Sequence, residues 1–190
     1  IYSYGLIKKN SNISLDPKNN LKRWLNLKNI NHECKIFYPK NNENNNNIII
    51  GIGGSGQTKK WKIDNYLSLI NKLNKKYTHC KFIIAGGKDD LENFEYLKKN
   101  FYEEKLLSLC ELNIDDSISF IVSSKMYIGN DTGFMHISGM LGVRSFGLFG
   151  DTPTNYAEYN KLIVPIIPKN FKSIGHNSLA IDKIEVDWVL

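Results

Sequence analysis

Four short apolar runs, each followed by glycine, recur along this chain with helical stretches between them. The runs are Ile48–Ile52, Lys81–Ala85, Met126–Ile128 and Arg144–Phe149, with Leu162–Ile167 as a fifth candidate. Helical spacing of apolar residues marks Ile63–Tyr77, Asp89–Phe101, Asp115–Ser124, Gly133–Leu141 and a terminal stretch, Ile181–Leu190. Strands that alternate with helices predict an α/β fold, a parallel sheet with helices on both faces.

The helical stretches carry the expected start and face signals. In Ile63–Tyr77 the apolar side consists of Tyr66, Leu69, Ile70 and Leu73, and we expect Asp64 to cap the helix. Adjacent acidic pairs, Asp89–Asp90 and Asp115–Asp116, point in different directions on a helix. We therefore interpret them as N-terminal caps rather than as acid/base pairs.

Composition narrows the class further. The 190 residues have a formal net charge of +6, and the 42% apolar share predicts a folded core. No apolar run approaches the roughly 18 to 20 residues that span a bilayer. Lysine pairs are scattered as on solvated helix surfaces, without the clustered stripe that nucleic acids require, so no nucleic-acid partner is expected.

Cysteine and histidine spacing argues against a metal. Cys34, Cys80 and Cys110 form no Cys-x-x-Cys pair, which speaks against structural zinc and a disulfide framework, and Cys80 is expected to be a core thiol. The histidines His32, His79 and His176 lack partners at ligand spacing. The sequence therefore predicts no metal site.

The segment GNDTGFMH, Gly129–His136, leaves a predicted strand and opens a helix. Unpaired amides in the first turn of a helix suit a phosphate. Gly133 lets an anion approach the backbone, Thr132 offers a hydroxyl, and His136 can donate to the same anion. Asp131 suits sugar hydroxyls, or it would hold a neighbouring amide. The alternative is an ordinary helix start, capped by Asp131 or Thr132, with His136 packed.

A second loop, GGSGQTKKW at Gly53–Trp61, also follows a strand. Ser55 and Thr58 can bond phosphate oxygens, and a lysine adds positive charge. The spacing fits neither the Walker A loop nor the dinucleotide turn, because Lys59, Lys60 and Trp61 stand where the packed helix should begin. A flexible glycine turn is the alternative, and Trp61 is expected to anchor the core.

Three segments in order make the chain similar to the donor-binding, C-terminal half of family 9 glycosyltransferases, the lipopolysaccharide heptosyltransferases. Ile49–Trp61 resembles the segment with a Gly-Ser turn and Lys-x-Trp, and Phe82–Asp90 resembles the strand-glycine-acid segment. Ile128–Pro153 resembles the most recognisable stretch, with the Asp-Thr-Gly-x-x-His core and the Phe-Gly-x-Thr-Pro turn intact. The likeness covers residues 45–190.

This resemblance implies one Rossmann-like half of a GT-B glycosyltransferase. Such an enzyme would transfer a heptose from an ADP-activated donor to a lipopolysaccharide-core or related glycan acceptor. Transfer would invert the anomeric centre without a metal or other cofactor, the nucleotide-sugar being a substrate. The implied partners are ADP-heptose and a lipid-linked saccharide. The implied location is cytoplasmic, with peripheral contact at the inner face of the cytoplasmic membrane left open.

The resemblance also assigns roles to positions. The donor diphosphate would be held by Ser55, Thr58, Lys59, Thr132, Gly133 and His136. The donor sugar or ribose would meet Asp131 and Asp89 or Asp90, and the base would meet the backbone around Leu112. Lys60 would be the variable residue between Lys59 and Trp61, tolerant of substitution.

Three positions depart from the family pattern, and the donor's identity stays open because donors vary within the family. Gly53–Gly54 replaces the usual Pro-Gly, Lys62 stands where Pro follows Lys-x-Trp, and Phe134 follows Asp-Thr-Gly. None of these changes removes a ligand.

The resemblance suggests a division of the chain. Residues 1–40 would be the end of a missing N-terminal domain or a linker region, 41–47 (NNENNNN) an exposed Asn-rich loop, and 48–190 the donor-binding domain. The family's catalytic base lies in the N-terminal half, so we expect nucleotide binding without transfer from this chain alone. A non-catalytic nucleotide or phosphoanion-binding module is the alternative, and the broken dinucleotide turn disfavours an oxidoreductase.

Overall fold

The computed structural model describes residues 35–39 and 46–190. Six strands occur there: β1 Asn47–Gly51, β2 Lys81–Ala85, β3 Leu106–Ser108, β4 Ser124–Asn130, β5 Arg144–Leu148 and β6 Ile163–Ile166. The helices are α1 Ile63–Lys76, α2 Leu91–Asn100, α3 Ile114–Val122, α4 Gly133–Met140 and α5 Val186–Val189. The interpretations of residues 1–34 and 40–45, including most of the Asn-rich loop, lie outside the described residues.

All six strands are parallel, in the order β3-β2-β1-β4-β5-β6. This is the order of the doubly wound Rossmann fold, and it confirms the predicted α/β architecture. The chain builds outward from β1 to β3, then crosses back to start β4 beside β1. A crevice therefore opens between the carboxyl ends of β1 and β4, where such sheets bind ligands.

The sheet is buried on both faces, which explains its continuous apolar strands. Ile48 and Ile50 of β1 pack with α1 and α2, whereas Ile49 faces the cluster that includes α3 and α4. Helix α1 buries the four predicted residues, Tyr66, Leu69, Ile70 and Leu73. Trp61 and Cys80 are also buried, as expected.

Two elements differ from the sequence expectation. Strand β3 was not predicted, since only three residues pair with β2 and Leu107 among them is exposed. The terminal helix predicted over Ile181–Leu190 is instead a 3-10 turn, Ile181–Lys183, and the single-turn α5. Ile184 between them is extended and buried, and its carbonyl accepts a hydrogen bond from Trp61 Nε1 at 2.9 Å.

The capping predictions were partly wrong. Lys62, not Asp64, occupies the N-cap position of α1. The Asp64 carboxylate instead accepts a hydrogen bond from Tyr96 at 2.6 Å, which raises the pKa of that tyrosine. Asn113 caps α3 by accepting from the Asp116 amide at 2.8 Å, so Asp116 is the residue being capped. Asp90 does occupy the N-cap position of α2, but its side chain makes no capping bond to that helix, and a 3-10 turn, Lys88–Asp90, precedes the helix.

No helix in the described part of the chain is both long enough and apolar enough to cross a membrane.

Candidate functional site

The crevice between β1 and β4 is bordered by the two loops that the sequence singles out. The glycine-rich loop, residues 52–60, leaves β1, and the Asp131–Thr132 turn leaves β4 and opens α4. Because β1 and β4 are hydrogen-bonded neighbours, their carboxyl ends lie side by side. The structure thus brings together most of the predicted site residues on two adjacent loops.

Asn130, the last residue of β4, fastens these two loops to each other. Its side chain is fully buried, and Nδ2 donates to the carbonyls of Ile52 at 3.0 Å and Gly53 at 2.9 Å. Its Oδ1 accepts from the Trp61 amide at 3.1 Å and lies 2.8 Å from the Tyr66 hydroxyl. The amide therefore uses both donors and its acceptor to fix the course of the glycine-rich loop.

The strand ends beneath the crevice require glycine. A Cβ on Gly129 would lie 2.3 Å from the carbonyl oxygen of Gly51, and one on Gly51 would meet the Tyr127 hydroxyl at 1.8 Å. Tyr127 fills this space and donates to the Asn130 carbonyl at 2.8 Å, and burial raises the pKa of its hydroxyl. The close packing of β1 on β4 leaves the loops above with little freedom.

Within the glycine-rich loop, Gly56 has φ +139°, a backbone conformation that L side chains rarely adopt. This turn exposes Ser55 and Thr58. Lys59 ends the following 3-10 turn and is half-buried, and among the described residues no hydrogen bond or ion pair engages its ammonium group. Lys59 therefore carries a charge with no partner among the described residues, on the loop that follows β1.

Lys60 differs from its neighbour and from our expectation. Its ammonium lies 2.6 Å from Oδ1 of Asp90, and both side chains are largely buried. The other carboxylate oxygen of Asp90 accepts from the Gly87 amide at 2.9 Å. Lys60 is thus a loop-fixing residue rather than a tolerant position, and Asp90 is engaged by the protein itself. Asp89, next to it, is exposed.

Helix α4 begins without a side-chain cap. Thr132 occupies the N-cap position, but its hydroxyl makes no bond to the first-turn amides and instead lies 3.2 Å from the Tyr127 hydroxyl. Gly133, the first helical residue, has no atom within 4 Å of the position where a Cβ would stand. The first turn therefore presents open amides and open space, as an anion requires.

His136 ends this first turn and stands between two polar side chains. Its Nδ1 lies 2.7 Å from the Tyr159 hydroxyl, and the two rings stack with centroids 5.6 Å apart. Its Nε2 lies 3.4 Å from Oδ1 of Asp131, whose side chain is 11% exposed. The imidazole is 28% exposed and is therefore neither fully packed nor free.

Asp151 lies in the turn after β5 and is bonded to a distant segment, since its Oδ1 accepts from the Leu179 amide at 3.0 Å. That bond, helped by the Thr58 hydroxyl and by the Ser178 and Asn177 amides, lowers the pKa of this carboxyl. Thr58, which the sequence assigns to the donor diphosphate, therefore lies near a carboxylate of the protein.

Leu112 follows β3, the edge strand, which pairs with β2, the strand before Asp89 and Asp90. Two strands separate β3 from β4 in the sheet. The Leu112 side chain is 39% exposed. Within the described residues no three His, Cys, Asp or Glu side chains gather as a metal would need, and the metal-free interpretation stays a prediction.

Four residues that shape the site were missed from sequence: Lys60, Asn130, Asp151 and Tyr159. Of these four, Asn130 could have been found from the sequence, because it is a polar residue at the end of an apolar strand. The other three act through contacts distant in sequence, which no local pattern reports.

The doubly wound sheet, with two small-residue loops at its switch point, defines a Rossmann-like α/β domain. The sequence profile of glycosyltransferase family 9 (heptosyltransferase) matches residues 13–174, and the chain belongs to this family.

Individual relatives agree with this assignment. The chain is 24% identical over 158 residues to lipopolysaccharide heptosyltransferase 1 of Campylobacter coli, covering 78% of this chain and 46% of that protein. The structure of E. coli heptosyltransferase WaaC with ADP-2-deoxy-2-fluoro heptose superimposes with a TM-score of 0.75 at 13% identity, over 96% of this chain and 55% of that one.

The structure of E. coli ADP-heptose lipopolysaccharide heptosyltransferase II gives a TM-score of 0.64 at 20% identity, over 77% of this chain and 45% of that one. These structural similarities establish the GT-B type of fold. The chain spans about half the length of the relatives that it matches.

Proposed function

We propose that this chain is the donor-binding part of a glycosyltransferase that transfers a heptose from ADP-heptose to a lipopolysaccharide-core or related glycan. One observation carries the proposal: β1 and β4 are neighbours, the first turn of α4 after β4 has no side-chain cap and ends at His136, and the loop after β1 carries Lys59, which has no partner among the described residues. Open amides, an imidazole and an ammonium group together suit a diphosphate.

The chemistry follows from where charge develops. An acceptor hydroxyl attacks the anomeric carbon of the donor, and the bond from that carbon to the β-phosphate oxygen breaks. The electron pair leaves with the diphosphate, whose negative charge rises. Lys59, the α4 amides and His136 would stabilise that charge without a metal ion. Attack opposite the leaving group inverts the anomeric centre.

The remaining roles follow from exposure. Asp131 lies beside the first turn of α4 and would accept hydrogen bonds from donor-sugar hydroxyls. Asp89 is exposed after β2, adjacent to β1, and is better placed for the ribose than Asp90, which is bound to Lys60. The acceptor proton would pass to a base contributed by the other half of such an enzyme. We also propose a cytoplasmic location for a chain that uses such a donor.

Calorimetric titration of the chain tests this proposal. We expect ADP and ADP-heptose to bind more tightly than adenosine, which lacks the diphosphate, and more tightly than UDP- and GDP-sugars. Binding should persist in EDTA. Equal affinity for ADP and adenosine would contradict the diphosphate site, and a preference for another base would contradict only the ADP assignment. Inorganic pyrophosphate that binds as tightly as ADP would favour a general phosphoanion-binding module.

A further inference from the structure

Tyr159 lies in the segment between β5 and β6, 23 residues after His136, yet it makes two contacts with that side chain. Its hydroxyl lies 2.7 Å from Nδ1, a short hydrogen bond, and its ring stacks on the imidazole at an interplanar angle of 27°. A hydrogen bond at one ring nitrogen combined with a stacked ring restricts both the tilt and the rotation of an imidazole.

This contact determines which nitrogen faces Asp131, the residue before the N-cap of α4. With Nδ1 turned to Tyr159, Nε2 is directed to Asp131 at 3.4 Å, which is long for a hydrogen bond. Nε2 is therefore available to an anion arriving at the first turn of α4. A ring rotated by half a turn would present Nδ1 instead, from a different position.

We propose that Tyr159 is a positioning residue for donor binding, whose hydroxyl holds the imidazole of His136 with Nε2 facing the diphosphate site. The identity of the ligand in this inference rests on the proposed function, whereas the contact between Tyr159 and His136 does not depend on it. Tyr159 would not contact the donor itself and would act through His136. Asp131 and Tyr159 are the titratable groups in contact with the imidazole among the described residues.

Packing alone would not require the hydroxyl. Tyr159 is partly buried against the cluster that includes Met135 and Ile163, and phenylalanine would fill the same space. Tyr159→Phe therefore keeps the ring and removes the bond to Nδ1. Tyr156→Phe is the matched control, because Tyr156 lies in the same segment but its ring meets the edge of His176, at 6.0 Å between centroids.

The first measurement needs no ligand. We expect Tyr159→Phe to change the imidazole ¹⁵N chemical shifts of His136 in the free chain, because a hydrogen bond at Nδ1 is lost, and Tyr156→Phe to leave them unchanged. Unchanged His136 shifts in Tyr159→Phe would overturn the inference, whether or not the chain binds ADP.

The second measurement is a double-mutant cycle on ADP affinity. We expect Tyr159→Phe to weaken ADP binding roughly 3- to 10-fold in the presence of His136. In a His136→Ala background the same change should alter affinity less than about 2-fold. An equal loss in both backgrounds would overturn the positioning role. If the unaltered chain fails to bind ADP, the proposed function fails, and the ¹⁵N shifts alone decide the inference.

Discussion

Lys60 and Asp90 form an ion pair with 2.6 Å between Nζ and Oδ1, although 30 residues separate them. The pair joins the loop after β1 to the turn after β2, and its side chains are 19% and 5% exposed. A carboxylate so deeply buried depends on its partner, because one backbone amide from Gly87 cannot replace a full charge. The pair therefore fixes the loop that carries Lys59.

Lys60→Ala should lower the free energy of unfolding by about 3 kcal/mol, since it leaves the buried Asp90 carboxylate uncompensated. Lys62→Ala is the matched control, because Lys62 pairs with Asp182 at 3.4 Å on an exposed surface, where the loss should stay under about 1 kcal/mol. Urea unfolding of both variants measures the difference. Adding Asp90→Asn to Lys60→Ala should recover part of the stability, and equal losses for Lys60→Ala and Lys62→Ala would contradict the buried pair.

Local patterns predicted the parts of this fold that local physics controls. Apolar runs gave the strands β1, β2, β4 and β5, and the spacing of Tyr66, Leu69, Ile70 and Leu73 gave the buried face of α1. The order of those elements sufficed to predict the parallel sheet and the edge where its loops gather.

Contacts between distant residues lay beyond such patterns. Lys59 and Lys60 are adjacent and chemically identical in sequence, yet Asp90 binds one and not the other. Ile184 interrupts a helical pattern because its carbonyl accepts the indole N–H of Trp61. Thr132 looks like a helix cap but lies beside the Tyr127 hydroxyl instead. Each outcome depends on a partner that the fold supplies.

Lys59→Ala should act on binding rather than on stability. Its ammonium group has no partner among the residues that the structure describes, so the free energy of unfolding should change by less than about 0.5 kcal/mol. Loss of a charge-assisted hydrogen bond should weaken ADP binding by about 1.5 to 3 kcal/mol, or about 10- to 150-fold. Calorimetry and urea unfolding together check this. Unchanged ADP affinity would remove Lys59 from the diphosphate site.

Asp151 should make part of the stability depend on pH. Its folded-state pKa is lowered by the Leu179 amide and the Thr58 hydroxyl, so its contribution is present above about pH 3.9, the ordinary value for Asp, and is lost as pH falls through the lower folded-state pKa. Asp151→Asn should therefore cost under about 1 kcal/mol at neutral pH, because this carboxylate lies near water.

Urea unfolding curves recorded from pH 7 to pH 2 measure this contribution of Asp151 to the free energy of unfolding. The difference in unfolding free energy between the unaltered chain and Asp151→Asn should shrink toward zero at the acidic end. A difference that stays constant with pH would show that the charge of Asp151 does not stabilise the fold.

A substitution at Gly133 should change stability and ADP affinity in opposite directions. Nothing lies within 4 Å of its Cβ position, and no left-handed backbone requires glycine there. Gly133→Ala should therefore raise the free energy of unfolding by up to about 1 kcal/mol. The added methyl group stands where a phosphate would approach the first-turn amides, so ADP affinity should fall about 10-fold, or about 1.4 kcal/mol.

Gly139, in the same helix, gives the matched contrast to Gly133. A Cβ there would meet Ile163 Cγ1 at 2.7 Å, so Gly139→Ala should lose about 1 to 3 kcal/mol of stability through overpacking. Thermal or urea unfolding should show that Gly133→Ala raises the free energy of unfolding and Gly139→Ala lowers it. If Gly133→Ala also loses more ADP affinity than Gly139→Ala, that loss comes from the contact with the ligand and not from instability. A Gly133→Ala variant that binds ADP normally would place the phosphates away from the start of α4.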